Sequence, residues 1–434
     1  MGILSKATAA GLFLGMMASA TPFYPVALRR DTAASGIEPQ YNVSLYYEAA
    51  SSSSCAAVVN ARMKVPTVVL EDISSISSVD CTTDAVEIVY SSASDYAQAV
   101  SDWSASDLVL LTNNMGSCDT VNERGVYVVS SLSTDSDSNT ITAQATQSSF
   151  KEEAEFLSVV FNSTAAASKK RDVTLTLSDE WSGDLLDTDY LTIEVDDIDL
   201  STTIDLGGGV DIDILNLKAS TLYLELDLAL YADLSVSAGS KGSYSADFLN
   251  YTFDALSFAT VDIAGLLTID PALTFGVGVE FSVSGEANLT ADVSAQIADG
   301  KVYLDLLDSS ETSTSGWAPT YSASANLTAE VDAELNPAAS VSLSISVDVL
   351  DGLIDASAGI EATAEVVNGF STDGTFEVDT STGVSFPTGT GSCTNGFWFA
   401  SDFFFGVDAS VTDLYSGSLY NVTVPIYDTE CVSF

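Results

Sequence analysis

The 434-residue sequence has no histidine, and only 13 Lys and Arg residues stand against 61 Asp and Glu, for a formal charge of −48. Without imidazole there is no Ser-His-Asp or Cys-His catalysis and no His-ligated metal. So few cations cannot build the basic patch that sits on phosphates, which excludes nucleic acid as a partner. Long apolar runs are missing too: no segment reaches the roughly 20 residues of a membrane-spanning helix. The ending Glu430-Cys431-Val432-Ser433-Phe434 lacks the hydrophobic tail of a lipid-anchor signal. What is present is a chain that folds. Apolar residues make up 46% of it and the mean hydropathy is +0.26, too rich for a disordered acidic polymer. The length suits two domains.

The first 20 residues read as a secretory signal peptide: Lys6, a small and apolar run from Ala9 to Ala18, then Ala18-Ser19-Ala20 as a cleavage site after Ala20. The expectation is a secreted protein, extracellular or cell-wall-associated, without a transmembrane anchor. Five of the 13 cations fall in two runs, Arg29-Arg30 before Asp31 and Lys169-Lys170-Arg171 before Asp172. A subtilisin-type processing protease seats paired cations in acidic pockets. Cleavage is therefore expected after Arg30, releasing 21–30 as a short propeptide, and after Arg171, at the end of a Ser/Thr/Ala-rich linker over 162–171. Residues 172–434 carry 43 acids and only Lys218, Lys241 and Lys301, a net −40; the first 171 residues carry −8. Self-repulsion of that order predicts a C-terminal part more stable near about pH 4–5 than near about pH 8.

Five cysteines suit an oxidising compartment. Cys393 and Cys431 form the expected C-terminal pair and Cys81 and Cys118 the expected N-terminal one. Cys55 is left odd, in the polyserine loop of Ser51–Ser54. Six N-x-S/T acceptors, Asn42, Asn162, Asn250, Asn288, Asn326 and Asn421, together with the leader, predict N-glycosylation.

Hydrophobicity alternates with period two over long stretches. From Leu222 to Val236 the even positions are apolar; from Leu273 to Ile297 the odd positions are apolar or Gly; Tyr321–Leu335, Ala339–Val349 and Ile354–Val366 continue the pattern. Strict alternation means strands with one dry and one wet face. An extra residue at Asp196-Asp197 predicts a β-bulge, and Gly207-Gly208-Gly209 reads as a turn. The same alternation serves a sandwich or a membrane barrel. Asn288 and Asn326 favour the sandwich, because both sit at polar-face positions that glycans would hold in open solvent. The N-terminal part differs. Short strands (Val65–Leu70, Ala85–Tyr90, Leu108–Leu111, Val126–Ser130, Thr140–Ala145) accompany a helix over Asp95–Trp103 and a second over Phe150–Phe161. The fold class is mainly β: an elongated antiparallel β-sandwich over 172–434, with a C-terminal disulfide loop, preceded by a small α+β domain over 40–161.

Short motifs carry a resemblance. Pro66-Thr67-Val68-Val69-Leu70-Glu71, Ser78-Val79-Asp80-Cys81, Cys118 and the run Gly125–Ser131 resemble a small domain of unknown function in secreted fungal proteins. Leu267–Pro271, Leu304–Ser310 and Ser315–Thr320 resemble its C-terminal companion. The resemblance covers roughly 60–165 and 172–370 and implies a secreted, two-domain layout with no assigned activity.

Carboxylates are the one catalytic group present in quantity. The paired Asp-Thr/Ser-Gly loops of an aspartic protease are absent, since Asp351-Gly352 and Asp373-Gly374 lack the motif. A glycosidase pair has no fixed spacing, and nothing in the sequence singles one out. Ser148-x-x-Lys151 is a lone short match to a dyad. Calcium is the one cofactor candidate, at Asp197, Asp199, Asp211 and Asp213, against the alternative of a solvated acidic face. Phe397-Trp398-Phe399 and Phe403-Phe404-Phe405 read as a buried strand rather than an exposed aromatic surface. The function expected is a non-enzymatic secreted β-protein whose two processed parts stay associated. The alternatives are a lipid- or hydrophobic-ligand-binding or membrane-active protein, and a carboxylate-dependent carbohydrate hydrolase. Cell-wall polysaccharide or lipid are the outside partners considered.

Overall fold

Strands of 14 to 24 residues, built on the period-two alternation, set the shape of the C-terminal part. The computed structural model describes residues 23–26, 36–49, 52–103, 107–112, 118, 123–162, 173–177, 183–245, 249–253, 256–257, 261–263, 265–329, 333–350, 352–371, 376–379, 396–412, 415–428 and 432–433. The cleavage points at Ala20, Arg30 and Arg171, the linker past Asn162, and Cys393 and Cys431 lie outside them.

The N-terminal part holds β1 (Phe23–Val26), β2 (Gln40–Ala49), β3 (Ser52–Val69), β4 (Ile76–Cys81), β5 (Ala85–Tyr90), α1 (Ala93–Asp102), β6 (Leu108–Thr112), β7 (Gly125–Asp135), β8 (Thr140–Ser148), α2 (Phe150–Glu153) and β9 (Ala154–Asn162). Strand β3 organises it, pairing with β2 along one edge and with β9 and β6 along the other. The β3–β6 pair is parallel, which makes this sheet mixed. From β6 the sheet continues through β7, β8 and β5 to β4. Helix α1 starts where the Ser92 hydroxyl accepts from the Asp95 N–H. It packs Tyr96 and Ala99 over the sheet, and Trp103 at its end donates to the Ile37 carbonyl at 2.9 Å.

The C-terminal part continues with β10 (Val173–Leu177), β11 (Gly183–Asp187), β12 (Leu191–Asp213) and β13 (Lys218–Lys241). Four short strands follow, β14 (Tyr244–Ser245), β15 (Leu249–Thr252), β16 (Leu256–Ser257) and β17 (Val261–Ile263). Then come β18 (Leu267–Val283), β19 (Glu286–Asp305), β20 (Ser313–Ser315), β21 (Thr320–Ala329), β22 (Ala333–Val349), β23 (Ile354–Ser371), β24 (Phe376–Asp379), β25 (Gly396–Val411), β26 (Tyr415–Asp428) and β27 (Val432–Ser433). Strands β12, β13, β19, β21 and β24 extend the first sheet. The second sheet runs β14–β18–β22–β23–β25–β26 with antiparallel pairings throughout. Among the described residues neither sheet closes into a barrel.

The chain passes between sheets at Ser284-Gly285, from β18 in the second to β19 in the first, with the odd-numbered apolar phase intact from Leu273 to Ile297. The apolar faces of both sheets share one core. Tyr321 of β21 stacks on Phe403 of β25 with centroids 4.3 Å apart, and buried Trp317 stacks on Phe405. Phe403 and Phe405 are thus in a strand and in the core, as read from the sequence; the side chains of Phe397, Trp398 and Phe399 lie outside the description.

Three sequence expectations are corrected. Gly207-Gly208-Gly209 is not a turn: β12 runs straight through it, paired with Glu225, Leu224 and Tyr223 of β13. The glycines serve close approach instead. A Cβ on Gly208 would fall 2.7 Å from the Phe161 ring, and one on Gly209 2.9 Å from the Tyr223 ring. The second helix is one turn, Phe150–Glu153, and then β9 begins, because Leu157, Val159 and Phe161 are buried at period two. Cys55 lies in strand β3 rather than in a loop. The bulge at Asp196 is present, as a register shift between Val195 and Asp197.

The two parts are one structure. β9, which precedes the Lys169-Lys170-Arg171 run, pairs residue for residue with β12, which follows it, from Gly207–Asn162 to Asp213–Phe156. Val43, Leu45, Ala57, Val59, Leu157 and Phe161 of the N-terminal part belong to the same core as Ile204, Leu224 and Phe275 of the C-terminal part. A second core, with Val68, Ile88, Trp103, Leu110 and Ile141, belongs to the N-terminal part alone.

Candidate functional site

The sequence candidates separate in space. Asp199 and Asp211 stand twelve positions apart on the uninterrupted strand β12, a distance of roughly 40 Å at about 3.3 Å per residue. The Asp197/Asp199 and Asp211/Asp213 pairs therefore do not converge. Asp213 is occupied locally, accepting from the Asn216 amide at 2.7 Å and from its N–H, donors that hold its carboxyl below the usual range. No group of three or more carboxylate or thiol ligands able to hold a metal occurs among the described residues. The Ser148 hydroxyl donates to Glu152 and Glu153, not to Lys151, so that pair is no dyad. Cys81 and Cys118 are joined by a disulfide that closes a 37-residue separation. In the chain-entropy account such a loop contributes about 4 kcal/mol. Of the six sequons, Asn42, Asn288 and Asn421 are exposed on strands β2, β19 and β26; the side chains of Asn162, Asn250 and Asn326 lie outside the description.

A carboxylate pair that the sequence did not single out lies on the outer face of the second sheet. Glu365 of β23 is half-buried, and burial first, then the charge of Glu280, raises its pKa. Glu280 of β18 accepts from the Asn336 amide at 3.2 Å. Asn336 repairs a gap in the sheet. Pro337, in the interior strand β22, has no N–H to donate, and the ladder to β23 is interrupted between Glu334 and Ala338. The Asn336 side chain accepts from the Asn368 N–H at 2.7 Å, the Asn368 amide donates to the Leu335 carbonyl, and Ser401 donates to Asn368. This network is buried and structural. Two depressions on the same sheet, of about 320 and 680 Å³, are lined by other residues, chiefly Ser342, Ser344, Ser357, Gly359 and Ser410.

The most organised surface is on the outer face of the first sheet, where cross-strand partners share a face. One row reads Asp205, Asp227, Lys301, Ser315; the next Gly207, Glu225, Tyr303, Ser313; the third Gly209, Tyr223, Asp305. Tyr223 and Tyr303 stack with centroids 5.3 Å apart and planes 23° apart, both partly exposed. Burial raises the pKa of each phenol, helped by Glu225 for Tyr223 and by Asp305 for Tyr303, so both are neutral. Lys301 lies 2.8 Å from Asp227 and 3.3 Å from Asp299, and the hydrogen bond it donates to Asp227 raises its pKa. Beside them is a depression of about 400 Å³ lined by Glu225, Asp227, Lys301, Tyr303 and Ser313–Ser315.

The Ser313–Ser315 segment that borders this depression is held by Gly316 and Trp317, which follow it. Gly316 has φ of +77°, and a Cβ there would lie 1.8 Å from the Asp299 carbonyl, so only glycine fits. Trp317 is buried, donates its indole N–H to the Lys301 carbonyl at 3.1 Å, and packs against Gly300. Periodicity puts Tyr223 on a wet face, and the pairing of β13 with β19 brings Tyr303 beside it.

Two domain models match the chain. Residues 60–169 match a domain of unknown function, DUF7029, and residues 175–385 match another, DUF7223. The boundary between the two matches falls on the Lys169-Lys170-Arg171 run. No curated protein and no solved structure matches the chain.

Proposed function

We propose that the chain is a secreted, glycosylated, non-enzymatic protein of the cell exterior or wall, folded as an elongated β-sandwich with a small α+β unit. It is made as a precursor and cut after Arg171 into two parts that remain one particle. The observation that carries this reading is the β9–β12 ladder, with a shared core beneath it, spanning the basic run. The leader at 1–20, the six sequons and the Cys81–Cys118 disulfide support export. Aromatic stacking between the sheets fills space that a lipid-binding protein would keep open, which supports a structural or binding role over a lipid carrier. N-terminal sequencing and intact mass of the natural product test the reading. New N-termini at Asp31 and Asp172, with glycan mass, are expected. A cytosolic, unglycosylated single chain that retains Met1 would overturn it.

A further inference from the structure

Resting on this extracellular reading, we propose that Tyr223 and Tyr303, with Glu225, Asp227 and Lys301, form a binding platform for a neutral polysaccharide. Sugars present two surfaces, C–H faces that pack on aromatic rings and hydroxyls that need acceptors and donors. Tyr303 lines a depression of about 400 Å³ together with Glu225, Asp227, Lys301 and Ser313–Ser315. Its ring gives the apolar surface, and Tyr223, stacked on it from outside the depression, holds it in place. Glu225 and Asp227 accept hydroxyl protons, Lys301 donates, and Ser313 and Ser315 do either.

The sequence sacrifices strand stability to set the rings. Glycine inside a strand costs about 0.5–1 kcal/mol relative to alanine, yet Gly207, Gly208 and Gly209 sit consecutively in β12. Gly209 is the position over which the Tyr223 ring extends, with its Cζ and hydroxyl about as close as 3.1 and 3.0 Å to where a Cβ would stand. Gly316 and Trp317 fix the opposite wall.

Charge selects the ligand class. Glu225, Asp227 and Asp305 around the rings, on a chain of net charge −48, repel uronates and sulfated or phosphorylated polymers. Asn288 on β19 is fifteen positions from Tyr303, roughly 50 Å along the strand, whereas Asn162 of β9 pairs with Gly207 in the row of Glu225 and Tyr303, so the binding test uses deglycosylated protein.

Calorimetry on the purified, deglycosylated full-length protein tests the proposal with neutral hexasaccharides of β-glucan, chitin and mannan type, and with polygalacturonate as the anionic probe. Binding of at least one neutral hexasaccharide is expected, and of polygalacturonate none. Tyr223→Ala and Tyr303→Ala should each weaken binding about tenfold or more, which is about 1.4 kcal/mol, while Tyr303→Phe retains it. Glu225→Gln, at an exposed position that does not threaten folding, should weaken it severalfold. Tyr190→Ala, which removes an exposed tyrosine elsewhere, should change nothing. No binding of any neutral probe, tighter binding of polygalacturonate, or neutral binding indifferent to Tyr303→Ala and Glu225→Gln overturns the proposal. Because the protein is purified, this result is independent of export and cleavage, which the N-termini of the natural product report separately.

Discussion

Arg124 is buried to 1% side-chain exposure, its guanidinium 2.5 Å from the equally buried Glu71, with Tyr47 4.9 Å beneath it and the Tyr46 carbonyl accepting a further bond. Burial first, against the lowering charge of Arg124, pushes the Tyr47 phenol up to about 12, so it stays neutral. A charge pair this deep repays its desolvation only while both partners remain. Arg124→Leu should therefore destabilise the protein by about 3–5 kcal/mol in urea unfolding, whereas Arg124→Leu with Glu71→Leu recovers most of that loss. Equal losses in the single and double variants would show that the pair is not coupled. Gly316 makes a sharper case, because its positive φ and the 1.8 Å approach to the Asp299 carbonyl leave no room for a methyl group. Gly316→Ala should lower the melting temperature more than Gly242→Ala, where an added Cβ meets nothing.

The antiparallel ladders place carboxylates directly opposite one another: Asp80 and Glu87, Asp184 and Glu194, Asp199 and Asp233, Asp205 and Asp227, Asp348 and Asp355, Glu361 and Asp408. Like charges in such pairs destabilise by roughly 0.2–1 kcal/mol each. Salt screens repulsion between charges that face solvent. Asp199→Asn and Glu361→Gln should each raise the melting temperature at low ionic strength and much less at about 1 M salt. An equal shift at both salt concentrations would mean the gain is not electrostatic. At this scale much was legible in the sequence. The even positions from Leu222 to Val236 and the bulge at Asp196 read correctly because period two and its phase slips are local. The Gly207–Gly209 run did not read as strand, because what glycine does there depends on Phe161 and Tyr223 from two other strands. The helix expected to Phe161 failed for a related reason. The acids at Glu152, Glu153 and Glu155 resemble a helix start, but burial of Leu157, Val159 and Phe161 decides for strand. The platform was illegible as a site, since register between β13 and β19 is not written in either strand alone.

Over the whole molecule, the excess of carboxylates makes stability depend on pH with a predictable sign. Glu365 and Asp262 have pKa values raised by burial, with Glu280 and Asp270 adding to the rise. A carboxyl raised in the folded state contributes stability that is complete below its unfolded pKa and lost as pH climbs through the folded one. Asp135, Asp213 and Asp308 pull the other way, because Ser138, Asn216 and Ser310 hold them low and their contribution is lost on acidification. Asp135 and Asp308 are exposed and Asp213 partly so, and the opposed pairs outnumber them. The melting temperature should therefore rise from about pH 8 to about pH 4–5, and Glu365→Gln should flatten that rise. A curve that is flat or falls over that range would mean self-repulsion does not govern the fold. The central claim concerns the joint between the two parts. Cleaving the folded protein at Lys169–Arg171 and weighing the product by native mass spectrometry tests it most directly. One particle with the mass of the uncut chain plus one water per cut is expected, since β9 remains laddered to β12 and the core stays closed; two separate species under native conditions would contradict it.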